Sequence, residues 1–165
     1  ILSYEKDNVR FIMTTLWGDG GKTPANWVDV DRGLCDFRVT RRGDERFEVK
    51  HMISVHQNHR ANLEDLLAIP FAGKTVVVTH HLPSRHLVAK RFWAPGGGDG
   101  INGGFVGACD NILASDNAPD YWLFGHTHDA LDAVLWKTRC VSNPTGYYSE
   151  YSLPTTGGQL KILEI

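Results

Sequence analysis

Two short apolar runs that end in histidine constrain this chain more than any other feature. Tyr121-Trp122-Leu123-Phe124 is aromatic-rich and uncharged, and Gly125-His126-Thr127-His128-Asp129 follows it. Thr75-Val76-Val77-Val78-Thr79 is β-branched and uncharged, and His80-His81-Leu82-Pro83-Ser84 follows it. A short uncharged run of this kind reads as a strand buried on both faces. Imidazoles just past the ends of such strands stand where α/β proteins gather their functional polar groups.

The rest of the chain supplies elements to cover those strands. Val9 to Leu16 reads as a first strand. Phe47 to Leu67 reads as a helix, with Val55, His59, Leu63, Leu66 and Leu67 near a 3.6-residue period. Val106 to Ala114 reads as a short helix, and Ala130 to Ser142 as two strands around a turn near Trp136-Lys137. Leu160 to Ile165 alternates and is expected to close the chain as a strand. Trp27 to Gly43 reads as a solvated loop with a short helix or strand, and Arg41-Arg42-Gly43-Asp44 as a turn. Residues 85–104 read as a loose, glycine-rich region able to act as a flap. No repeat or linker divides residues 1–165, which are expected to form a single α/β domain.

Composition excludes several functions. The net charge of −2 leaves no electrostatic footprint for nucleic acid or an anionic membrane. No apolar run approaches the roughly 20 residues of a membrane span. The three cysteines, Cys35, Cys109 and Cys140, are odd in number and far apart. Free thiols and a cytoplasmic location are therefore expected.

Other motifs fail on spacing. Gly20-Gly21-Lys22-Thr23 hints at a phosphate-binding P-loop, but Leu16 occupies the position of the required first glycine. Asp29, Asp31 and Asp36 do not match a calcium loop. His56 and His59 are helix neighbours at i, i+3, with no carboxylate at matched spacing.

His80, His126 and His128 thus form the one constellation that carries chemistry. In an extended backbone, residues 126 and 128 would point their rings to one side. From chemistry alone, metal ligation and ordinary hydrogen-bonded histidine stand level. Three imidazoles suit zinc, iron, manganese or nickel in an open hydrolytic site, including a mononuclear one. Asp99, Asp110 and Asp129 are the available carboxylates, none in a diagnostic context.

Taken in order, Val76 to Ser84, Gly125-His126-Thr127-His128 and Asn143-Pro144-Thr145-Gly146-Tyr147 resemble the carboxyl-terminal half of calcineurin-like metallophosphoesterases. The resemblance implies a layered β-sandwich flanked by helices, with two divalent metal ions (manganese, iron, zinc or nickel) between the layers. By that resemblance His80 and His126 would bind one metal and His128 the other. His81, Ser84 and Asn143 would face the substrate, a small-molecule or nucleotide phosphoester. The family's upstream motifs, Asp-x-His, a bridging Gly-Asp after a strand and Gly-Asn-His, do not occur. With Ile1 in place of an initiator Met, the chain reads as a piece of a longer enzyme, inactive alone. A missing amino-terminal half or a partner chain would complete the site. A degenerate relative that binds metal or a partner without catalysis is the alternative.

Overall fold

A computed structural model describes residues 1–147, 149 and 161–165. The chain opens with an antiparallel hairpin, β1 (Leu2–Lys6) and β2 (Val9–Thr14). Its two-residue turn, Asp7-Asn8, has φ of 51° and 62°. Positive φ at both turn positions matches the right-handed twist of the strands, and Asp and Asn tolerate it. β1 is a fully exposed edge strand, and it was not expected from the sequence.

The crossover to the next sheet strand carries α1 (Pro24–Gly33), α2 (Asp36–Val39), a small hairpin of β3 (Arg41–Arg42) and β4 (Glu45–Arg46), and α3 (Val49–Ala68). Thr23 and Asn26 close a reciprocal capping box on α1, with Pro24 in its first turn. That helix lies where the sequence suggested mostly loop. α3 matches the expected helix, and its buried stripe is Val49, Met52, His56, Leu63 and Leu67.

Next come β5 (Lys74–Thr79), a loop with four short 3-10 turns between Arg85 and Gly104, and the single-turn α4 (Asp110–Leu113). β6 (Tyr121–Phe124) follows, then the hairpin of β7 (Leu131–Leu135) and β8 (Thr138–Ser142). The six long strands form one mixed sheet in the order β1-β2-β5-β6-β8-β7. The inner four strands are parallel, and the two edges are antiparallel. Residues 161–165 are irregular, so the expected closing strand is absent there. Leu160 lies outside the described residues.

One sheet face carries the main core. Ile12, Val77, Trp122, Phe124 and Cys140 pack there against Leu63 and Leu67 of α3 and Leu113 of α4. Burial of such side chains contributes roughly 1.5–3 kcal/mol each. A second cluster, Val30, Leu34, Phe37, Phe47, Val49 and Met52, seats α1 and α2 on α3. Arg10 is buried and donates to the carbonyls of Leu66 and Ile69, where α3 ends. A cation there satisfies orphan carbonyls and complements the helix dipole.

The opposite face bears Leu2, Tyr4, Phe11, Met13, Val76, Val78, Leu123 and Val141, none of them in either core cluster. Val76 and Val141 at its middle are buried, and the β1 edge is not. Leu2 and Tyr4 are 60% and 53% exposed. Residues 161–165 reach this side: Lys161 pairs with Asp132, and the Tyr121 hydroxyl donates to the Glu164 carbonyl.

Candidate functional site

The four parallel strands end on one side, and the loops after β2, β5, β6 and β8 meet there. This is the crevice position of open α/β sheets. The strand ends are tied to the core. Trp122 Nε1 donates to Thr79 Oγ1 at 3.0 Å, and that hydroxyl donates to the His81 carbonyl at 2.7 Å. The amides of His80 and His81 both donate to the Thr15 carbonyl, and the Gly125 amide donates to the His80 carbonyl.

Three rings converge on this platform. His80 Nε2 lies 3.0 Å from His126 Nδ1. The His81 ring stands 4.4 Å from that of His126, and Phe105 packs on His126 at 4.5 Å. His81 is buried, and its Nδ1–H donates to the Thr15 carbonyl, which leaves Nε2 as the lone pair. His128 sits beside the ring of Tyr147, 4.5 Å between centroids.

The backbone that presents His126 is not the extended one expected. His126 has φ of 63° and His128 φ of 54°. The Thr127 amide donates to the Gly125 carbonyl at 2.7 Å, closing a three-residue turn around His126. The positive-φ form of that turn is rare and strained, and strain of this kind, of order 1–3 kcal/mol, clusters at functional sites. Alternation about Thr127 therefore does not place the two rings.

Electrostatics keep the cluster neutral. Burial pushes His126 down to about 3, with repulsion from His80 and His128 adding to it. Burial also holds His81 well below the usual imidazole range, with repulsion from His126 and His80 behind it. His80 is lowered by desolvation too. Neutral imidazoles offer nitrogen lone pairs, the state a metal ligand needs.

Several buried polar atoms on this side find no hydrogen-bond partner among the described residues. They are His126 Nε2, Asp129 Oδ2, Thr14 Oγ1 and Ser142 Oγ. Such atoms call for a ligand, ion or water. At 3.0 Å the His80 and His126 nitrogens share a hydrogen bond, one ring donating to the other, and the pair is close enough to turn toward one ion. The ligand set is nonetheless partial. Among the described residues no group of three or more His, Cys, Asp or Glu side chains is arranged to hold an ion.

The carboxylates weighed as bridging ligands are engaged elsewhere. Asp99 and Asp19 clasp Arg85, Asp110 accepts from Ser84 Oγ at 2.5 Å, and Asp129 pairs with Arg91. Ser84 is fully buried and also accepts from the His86 amide, so its hydroxyl serves the loop. Asn143 is exposed just past β8. His56 approaches the site from α3, and its Nδ1–H donates to the Leu16 carbonyl at 3.3 Å. His59, its neighbour, keeps a buried Nδ1 with no partner among the described residues.

Sequence reading gave no role to Trp17, whose indole lies between His81 and Phe47, at 5.2 and 5.1 Å. The available signal was its place just after the first strand. The three cysteines are free, and no described helix is long and apolar enough to cross a membrane. No protein-family model, curated protein or solved structure matches the chain.

Proposed function

We propose that this chain supplies the histidine side of a metal-dependent phosphoester hydrolase centre. The observation that carries the reading is the His80–His126 pair on a strained turn at the parallel-strand ends: His126 Nδ1 meets His80 Nε2 at 3.0 Å, and its other nitrogen, Nε2, is buried with no partner among the described residues. The resemblance of the Thr-His-His, Gly-His-x-His and Asn-Pro-x-Gly-Tyr segments gives that pair its chemistry.

In this reading His80 and His126 hold one divalent ion, and His128 faces a second. When bound, such ions lower the pKa of water and stabilise charge on phosphoryl oxygens. The protein's own part is to present neutral nitrogens, fix their tautomers and exclude water. The Thr15 carbonyl sets the His81 tautomer, and Phe105 shields one face of His126. Carboxylate ligands would come from a further segment or a partner chain, because the nearby aspartates are committed to Arg85, Ser84 and Arg91. The exposed apolar edge of the sheet face opposite the main core, Leu2 and Tyr4 on β1, is where a second layer of the sandwich that the resemblance implies would extend it. The substrate would be a small phosphoester, and the location cytoplasmic.

The test is hydrolysis of p-nitrophenyl phosphate and of its bis-ester with manganese, by a longer protein that contains this chain. The His126→Ala variant is expected to lose at least about 100-fold in kcat/KM, as for loss of a group that acts in the transition state. Equal turnover in the variant overturns the reading. The partial ligand set favours one second reading, a relative that binds metal or a partner without catalysis. Metal binding with no hydrolysis in the longer protein would select it.

A further inference from the structure

A groove of about 350 Å³ runs between the β3–β4 hairpin and α3. Its floor is Phe47, and its polar lining is Arg41, Arg42, His51, Ser54 and Asn58. We infer that this groove binds a phosphate-class oxyanion, apart from the histidine centre.

The lining carries hydrogen-bond donors and no carboxylate. Arg41 and Arg42 are successive residues of β3, and both line the groove. No described carboxylate pairs with either guanidinium, although Arg46, Arg85, Arg91 and Arg139 all have acidic partners. Glu45 stands across the hairpin from Arg42 without an ion pair among the described residues. Guanidinium forks match tetrahedral oxyanions in geometry as well as charge.

The helix end arranges a further donor. His51 Nδ1 accepts the Glu48 amide at 3.1 Å, within a reciprocal capping box. A ring that accepts at Nδ1 carries its proton on Nε2, so it offers an N–H rather than a lone pair. Ser54 and Asn58, on the next turns of α3, add a hydroxyl and an amide. The neighbouring groove beside α1 makes the contrast, because Asp31 and Glu48 line it along with Arg32 and Arg46.

Two successive ring contacts lead from the groove toward the histidine centre. Phe47 contacts Trp17, and Trp17 contacts His81. Resting on the phosphoester reading for the centre itself, the substrate class becomes one with a second anionic group beyond the scissile ester.

The experiment is a titration of the chain with inorganic pyrophosphate in the presence of a chelator, followed by tryptophan fluorescence and by the His51 ring signals in NMR. Submillimolar binding near 0.1 M salt is expected in the parent chain. The Arg41→Ala/Arg42→Ala variant is expected to weaken it at least tenfold, and His126→Ala to leave it within twofold. Asn58→Asp, which puts a carboxylate into the groove without altering the hairpin, is expected to weaken it at least tenfold as well. The inference is overturned if the parent chain does not bind, or if either groove variant binds as the parent does. It is also overturned if binding is lost in His126→Ala, which would put the anion at the histidine centre. A longer protein that hydrolyses no ester would remove the reading of the centre and leave the groove standing.

Discussion

His80 Nε2 and His126 Nδ1 meet at 3.0 Å across 46 residues of chain, because β5 and β6 are adjacent parallel strands that end together. Register brings them together, since Val78 pairs with Leu123 and each histidine lies a few residues further on. Replacing His126 with Ala is expected to reduce zinc or manganese affinity of this chain at least tenfold by calorimetry. The main hydrophobic core should survive, since the His126 ring is not part of it. A variant that binds metal as tightly as the parent would take His126 out of the centre.

His56 gives a pH-dependent stability. Its folded pKa is lowered, chiefly by burial, below the ordinary imidazole value of about 6.5. The unfolded chain therefore binds the proton more readily. The stabilising contribution is complete above about pH 6.5 and falls away as pH drops toward the folded value. One such group adds a slope of at most about 1.4 kcal/mol per pH unit below that point. Urea unfolding between pH 7 and 5 should show a shallower slope in His56→Asn than in the parent chain.

Arg85 is a clasp between loops. Its guanidinium meets both oxygens of Asp19 and both of Asp99, with distances of 2.8–2.9 Å. The Asp99 side chain is only 2% exposed, so removing Arg85 would strand a buried carboxylate. Arg85→Ala should destabilise the fold by about 3 kcal/mol, as breaking a buried pair from one side does. Arg85→Lys should recover part of that in urea titrations, because it restores charge without the planar fork.

Gly18 and Gly103 mark a place where two backbones touch. A Cβ on Gly18 would meet the Gly103 carbonyl oxygen at 2.2 Å, and one on Gly103 would meet the Gly21 nitrogen at 2.2 Å. Gly18→Ala should therefore lower the melting temperature far more than Gly43→Ala. Gly43, with φ of +60°, has open space around it, so alanine there carries only left-handed strain of roughly 1–2 kcal/mol.

The buried strands were legible because nothing else suits their composition. Val76 to Val78 is β-branched and uncharged, and Trp122 is fully buried as expected. The α3 helix was legible from its period, although of the expected stripe only Leu63 and Leu67 are buried, with Val49, Met52 and His56 completing it in place of Val55, His59 and Leu66. The β7–β8 hairpin was legible from the run broken at Trp136-Lys137. β1 escaped because its alternation is only two apolar residues long, Leu2 and Tyr4, although Asp7-Asn8 signals its turn. α1 escaped because only Val30 of its ten residues is buried, so no apolar repeat marks it, with Thr23-Pro24 and Asn26 as its signs. At the centre, the histidines His80, His81 and His126 were legible as residues. Their approach was not, because a turn with positive φ at His126 has no side-chain periodicity.

The strand order also dictates how this chain must reach its native state. The two outer hairpins, β1–β2 and β7–β8, close local loops and can form within microseconds. The pairing of Val9 with Lys74 closes a span that includes α1, α2 and α3, and entropy delays it. Parallel pairings of that reach place a domain among the slower folders, with milliseconds to seconds as the expected scale. The histidine pair needs β5 and β6 side by side, a non-local pairing of Val76 with Tyr121, so it is expected to assemble after the local hairpins.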